Sequence, residues 1–349
     1  MEEDAAENAG FWSSYENGLT RTLERWQGNA PEGEDPIPAA ESFLGGLWDA
    51  VLFVISNMLE AIYNILFVVT HPGIWLDWLS WDNTAEDKAA LMRFVYYGGS
   101  VELFFAVFTF FILFSIAAFY HRPLMWGTVR VLEGFANGVG RTFAWAGLIM
   151  VLIQVVIIFS QRVFAVAEIS IGLGATITFD VSWWGESLKL YNAMIVSLCV
   201  SYTFVQGGHV RVDLVYSAIG HRAKRMIDMF GSLFFMVPAA VITWMYGWYF
   251  LWRHLITPKP SASDSLDRLL TKARAVRWNV ETIGFSPNGF NAYFLFKILL
   301  VAFAFLVLVQ AVAFFYRSYL EYVEGEESIG KNLDKDTLGE GEEAFEGVH

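Results

Sequence analysis

Phe230-Gly-Ser-Leu-Phe-Phe-Met-Val-Pro-Ala-Ala-Val-Ile-Thr-Trp-Met-Tyr-Gly-Trp-Tyr-Phe250 is an uncharged run, and its reading decides the fold. About twenty mostly apolar residues in helical form cross the ~30 Å hydrocarbon layer of a bilayer. Hydrocarbon offers backbone N–H and C=O groups no water, so such a run crosses as helix. Working outward, five more stretches qualify or nearly qualify. The six expected spans lie at about 47–70, 94–119, 143–164, 188–206, 227–252 and 290–316. The second contains Glu102 as its lone charge between Phe94 and Phe119. The first carries Asp49, Ser56, Asn57, Glu60 and Asn64 at helical spacing, a polar stripe that fits either a helix lying flat at the interface or, the favoured reading, a spanning helix whose stripe packs on protein. Two further segments, Leu124 to Gly140 and Ser263 to Trp278, mix apolar and charged residues as amphipathic helices lying along the membrane surface do. The fold class is therefore an all-α membrane protein of about six transmembrane helices with interfacial amphipathic helices.

Composition agrees: 55% of the 349 residues are hydrophobic and 17% carry charge, with a mean hydropathy of +0.43. The net charge of −13 belongs to the ends. Residues 1–43 hold ten acids against two bases, residues 318–349 repeat that ratio, and residues 44–317 are net +3. Both ends read as solvated acidic tails. The core offers no basic surface of the kind that binds nucleic acid. The acidic start Met1-Glu2-Glu3-Asp4 lacks the basic and apolar regions of a cleavable secretory signal. Cys199 stands alone, so no intramolecular disulfide is available.

Chemistry-bearing motifs are sparse. The six histidines fall at span ends, in loops or at the terminus, so no mid-membrane pair is placed to hold haem. There is no HExxH, no GxGxxG after a strand and no GxxxxGK[ST]. No cofactor and no catalysis are expected. Gly207-Gly208-His209-Val210-Arg211-Val212-Asp213 leaves the fourth span, followed by Arg222, Lys224 and Arg225. If this stretch is helical, His209 and Asp213 lie one turn apart and Arg211 faces lipid phosphate or a partner chain. An interfacial anchor with a tight turn explains the same residues. Arg162 and Glu186 are expected at one depth, either as an ion pair or as two independent snorkelling charges. Glu102 and Lys297 are expected deeper in their spans, each either with an internal partner or lining a polar seam. Arginine and lysine in the short loops lean toward placing both termini in the cytoplasm, although the loop 253–289 is basic as well.

In this order, Ser160-Gln161-Arg162-Val163-Phe164, Trp184-Gly185-Glu186, Gly208-His209-Val210-Arg211-Val212-Asp213, Arg222 and Arg225 resemble the small membrane subunit (DctQ type) of tripartite ATP-independent periplasmic (TRAP) transporters. The resemblance runs from about Leu124 to Arg317. It implies a four-helix core at 122–317 that supports a large DctM-type membrane subunit, phospholipids around it, and a periplasmic DctP-type solute-binding protein. Sodium-driven uptake of an organic anion across the bacterial inner membrane would follow, with Arg162, Trp184, Glu186, Gly208, His209, Arg211, Asp213, Arg222 and Arg225 holding interfaces rather than substrate. Residues 44–121 would then be a two-helix extension between the acidic tail 1–43 and the core, with residues 318–349 as the second tail. The competing reading is a stand-alone membrane scaffold or assembly factor without transport coupling.

Overall fold

A computed structural model describes residues 43–171, 177–206, 219–282 and 289–333. Helices dominate: among the described residues five are long and apolar enough to cross a membrane, and a bent pair, Val181–Leu198 with Val200–Gln206, makes six if it is one span. The chain divides into two compact units, Met1–Ile116 and Ala117–His349.

In the first unit, helix α1 (Phe43–Thr70) supplies the span Ala50–Thr70. Its polar stripe faces inward: Ser56 is fully buried and Asn57, Glu60 and Asn64 are half-buried, whereas Ile55, Leu59, Ile62, Leu66 and Val69 are exposed. Ser56 Oγ and Asn57 Nδ2 both donate to the Phe53 carbonyl, at 2.9 and 2.8 Å, so these two groups are satisfied within the helix. Apolar residues outward and polar residues inward is the arrangement lipid demands.

The second span starts later than its hydropathy suggests. Helix α2 (Ala85–Tyr97) is separate, opened by a capping box in which Thr84 and Asp87 exchange backbone-to-side-chain bonds at 3.1 Å. Phe94 in α2 packs on Trp75 and Trp78, with ring centroids 6.2 and 5.3 Å away. Gly98 and Gly99 interrupt the helix, Ser100 Oγ accepts from Leu103 N at 3.2 Å, and α3 (Val101–Tyr120) begins. Glu102 consequently sits in the first turn of its helix rather than deep in the span. Burial pushes the Tyr97 phenol up to about 12, with Glu102, Tyr96 and Glu60 adding to the shift and Arg93 opposing it.

The second unit is built on α4 (Arg122–Ile158), which continues through a π-helical turn Phe159–Val163. Its 42 residues extend for about 63 Å at ~1.5 Å per residue, roughly twice the hydrocarbon thickness. This corrects the expectation of a surface helix followed by a dive at Phe143. The chain never leaves helical form between them, and the lead-in is one end of the same rod. A hairpin of β1 (Glu168–Ile171) and β2 (Ile177–Asp180) follows, with Ile169 opposite Phe179. Asp180 caps α5 (Val181–Leu198) by accepting from Ser182 N at 2.8 Å. The chain bends by 47° at Cys199 into α6 (Val200–Gln206). Helix α7 (His221–Gly231) runs through a π-helical turn (Ser232–Met236) into α8 (Val237–Trp252), and α10 (Phe294–Glu324) is the last span.

Between α8 and α10 the loop is a small fold of its own. Strands β3 (Ile256–Thr257) and β4 (Arg277–Trp278) pair, and α9 (Leu266–Ala273) lies between them in sequence. Leu269, Ala273 and Val276 are buried, so the apolar face expected to meet the membrane surface is packed on protein instead. Asp264 organises the charged residues, accepting from Ser261 N at 2.9 Å and Lys272 Nζ at 2.5 Å, with Arg268 at 3.7 Å. Burial works to raise the Asp264 carboxyl, but the Lys272 and Ser261 bonds outweigh it and hold it below the usual carboxylate range. A lowered folded-state value means the contribution is present at neutral pH and is lost as pH falls below about 4. We expect Asp264→Asn to weaken the loop by about 1–3 kcal/mol, read as faster amide exchange in α9. The difference from wild type should vanish in acid; a difference that persists there would refute this account.

Candidate functional site

One end of the second unit, where α4 begins and α10 finishes, holds a buried charge cluster. Arg317 of α10 donates through Nε and Nη2 to the two carboxylate oxygens of Glu133 in α4, at 2.6 and 2.5 Å. Both side chains are buried, Glu133 to 2% exposure. A bidentate guanidinium–carboxylate pair of this kind fixes orientation as well as distance. One turn along α10, Glu321 forms an ion pair with Arg225 of α7, whose Nη2 lies 2.7 Å from the carboxylate. Arg225 also donates to Asp228 at 3.0 Å, and His221 Nε2 lies 3.0 Å from the Glu321 carbonyl. The sites on α4, α7 and α10 are thereby joined through charged groups.

The chain after α10 closes the cluster. Gly325 turns with φ at +89°, a value that favours glycine, and the following residues fold back. Arg317 Nη1 donates to the Lys331 carbonyl at 2.9 Å, and Gly330 N donates to Glu321 Oε1 at 3.4 Å. Lys331 Nζ reaches Glu324 at 3.3 Å, while Trp126 Nε1 donates to the same Glu324 at 2.9 Å. Arg317 and Lys331 lie 5.6 and 5.5 Å from the Trp126 ring, within cation–π range. Residues 318–333, read from sequence as part of a solvated tail, are here a helix end and a strap packed on the core.

Of the candidate residues, Arg225 is in this cluster. Arg222, three residues earlier on α7, is exposed. Arg162 is exposed in the π-helical turn and makes no ion pair among the described residues. Trp184 is half-buried at the opposite end, in an aromatic group with Phe179 and Trp183, whose ring also meets Phe290 at 5.5 Å. Glu186 is half-buried in α5 near Tyr293, whose phenol is raised by burial and by the Glu186 carboxylate. Gly208, His209, Arg211 and Asp213 lie outside the described residues. Lys297 has its partner: Nζ is 3.8 Å from Glu281 and 5.0 Å from the Phe250 ring centroid. Glu281 also meets His254 Nε2 at 2.9 Å.

Sequence reasoning passed over Glu133, Arg317 and Glu321. A signal existed: Glu133 and Asn137 are one turn apart, and both are buried, whereas Val131 and Phe135 on the same helix are exposed. The polar positions point inward, as in α1, and not to water.

Residues 173–266 match the family model described as "Tripartite ATP-independent periplasmic transporters, DctQ component". No curated protein and no solved structure matches the chain. The matched region takes in the end of the hairpin, the bent fourth span, Arg225 with its helix, the whole of α8 and the loop as far as Leu266. Over residues 173–266 the chain is thus similar to the DctQ component of tripartite ATP-independent periplasmic transporters, and it carries further helices before that region.

Proposed function

We propose that this chain is the small membrane subunit of a TRAP secondary transporter in a bacterial inner membrane. It supports a large DctM-type subunit while a periplasmic DctP-type protein delivers an organic anion and a sodium gradient drives uptake. The family match over 173–266 carries this reading. A support role is favoured by the way Arg317, Glu133, Glu321 and Arg225 pair with one another and knit three helices together. Both termini face the cytoplasm in this reading, residues 122–317 form the core, and residues 44–121 are an addition to it. Purification of the tagged chain from its native membrane, with partners identified by mass spectrometry, is the test. The expected result is a larger polytopic subunit and a periplasmic binding protein. A stable chain recovered with neither would favour a stand-alone scaffold and overturn the transporter reading.

The loop between α8 and α10 faces the periplasm in this orientation. Its exposed Arg268, Arg274 and Arg277, with Lys272 beside them, fit an acidic surface on the delivery protein. Neutralising these four residues should slow association and uptake about tenfold or more at low salt, with less effect at high salt. Unchanged uptake at low salt would exclude that contact.

A further inference from the structure

Gln154 lies midway along the expected span 143–164 in α4, about 15 Å from Phe164 at ~1.5 Å per residue, which is half the thickness of the hydrocarbon layer. Its side chain is exposed, and it makes no hydrogen bond among the described residues. Neighbouring hydroxyls in the spans behave differently. Thr142 donates to the Gly138 carbonyl and Thr243 to the Ala239 carbonyl, each at 2.8 Å, so both satisfy themselves within their own helices. An amide left open to hydrocarbon costs about 2 kcal/mol or more. The protein around it does little to cover it: from Leu148 to Ile158 only Ile157 is buried, and Val151, Leu152, Val155, Val156 and Ile158 are all exposed.

We infer that Gln154 marks the face of α4 on which a transmembrane helix of the large membrane subunit docks, presenting a hydroxyl, amide or carboxyl group at mid-bilayer depth. This rests on the transporter reading above. Water is absent at that depth, so only another membrane-embedded chain supplies the missing donor or acceptor. Val151 and Ile158, one turn to either side, provide the aliphatic flanks of the contact. Lipid alone would leave the amide unsatisfied.

The inference makes Gln154→Leu a discriminating substitution. A residue facing only lipid should tolerate leucine or gain from it, whereas a residue bonded to a partner helix should not. With both membrane subunits expressed, Gln154→Leu should lower recovery of the large subunit on the tagged chain about tenfold at unchanged abundance of the chain, and Gln154→Asn should restore part of it. A photoreactive benzoylphenylalanine at Val151 or Ile158 in the full chain should give a covalent adduct with the large subunit. Adducts with lipid only, with a second copy, or within residues 44–116 would overturn the inference, as would full recovery with Gln154→Leu. If wild type retains the large subunit but these positions never reach it, the docking face is wrong and the transporter reading stands. If wild type retains no large subunit, both fall.

Discussion

Replacing Arg317 with leucine will destabilise the second unit by about 3–5 kcal/mol, because it strips the guanidinium from the Glu133 carboxyl in a site with almost no solvent access. The loss is not confined to one pair. Arg317 also donates to the Lys331 carbonyl and lies 3.7 Å from Glu321, so the strap and the Arg225 contact lose a neighbour together. Removing both charges is a different case. With Glu133→Leu and Arg317→Leu combined, neither member of the pair is left buried without the other, and the double variant should recover much of the stability lost by either alone. Thermal unfolding of the detergent-solubilised chain, followed by size-exclusion fluorescence, gives the full cycle. Additive single losses in the double variant would show that the two residues do not act as a buried pair.

The spans were legible in the sequence because hydrocarbon makes a demand on the chain that is hard to mistake. Runs such as Phe230 to Phe250 state it without charges to confuse the reading. The ends of the spans were less legible, for reasons particular to each. Gly98 and Gly99 cut a helix inside an apolar stretch, so hydropathy alone placed the second span several residues too early. At Arg317 the opposite happened. A charge that normally marks the end of a span is neutralised by Glu133 from 184 positions away in sequence, and the helix runs on to Glu324. Pairings of that separation have no local signal.

The hairpin was legible in principle. Glu168-Ile-Ser-Ile and Ile177-Thr-Phe-Asp alternate with a period of two and are rich in β-branched residues, but each is four residues long and lies between helices whose apolar runs dominate the pattern. For the site, sequence order named Arg225 as a residue of interest without giving its partner. Glu321 lay in a stretch whose acidity pointed to solvent. Average charge describes a segment, and a single buried carboxylate with an arginine against it is invisible to that average.

Gly140→Ala is expected to produce the other large effect. A Cβ at Gly140 would sit 2.1 Å from Tyr202 Cβ and 2.8 Å from its Cγ. These atoms are at the root of the tyrosine side chain, so rotation about χ1 cannot clear the first of them. The helices themselves would have to separate. Cys199 Sγ meets the Gly140 carbonyl at 3.4 Å on the same stretch of contact, so the separation falls at the bend between α5 and α6. Overpacking of this kind costs about 3 kcal/mol. Gly134 and Gly138 provide the control on the same helix, since a Cβ at either meets nothing within 4 Å. Alanine there should be neutral or stabilising by up to about 1 kcal/mol, because it adds helix propensity without a clash. The three variants therefore differ in sign, not only in size, and melting temperatures measured side by side test the close approach of α4 and α6. Equal behaviour of Gly140→Ala and Gly134→Ala would mean that the approach is looser than described. Because α6 leads directly to Gly207, a displaced α6 should also weaken recovery of the large membrane subunit, whereas Gly134→Ala should leave it unchanged.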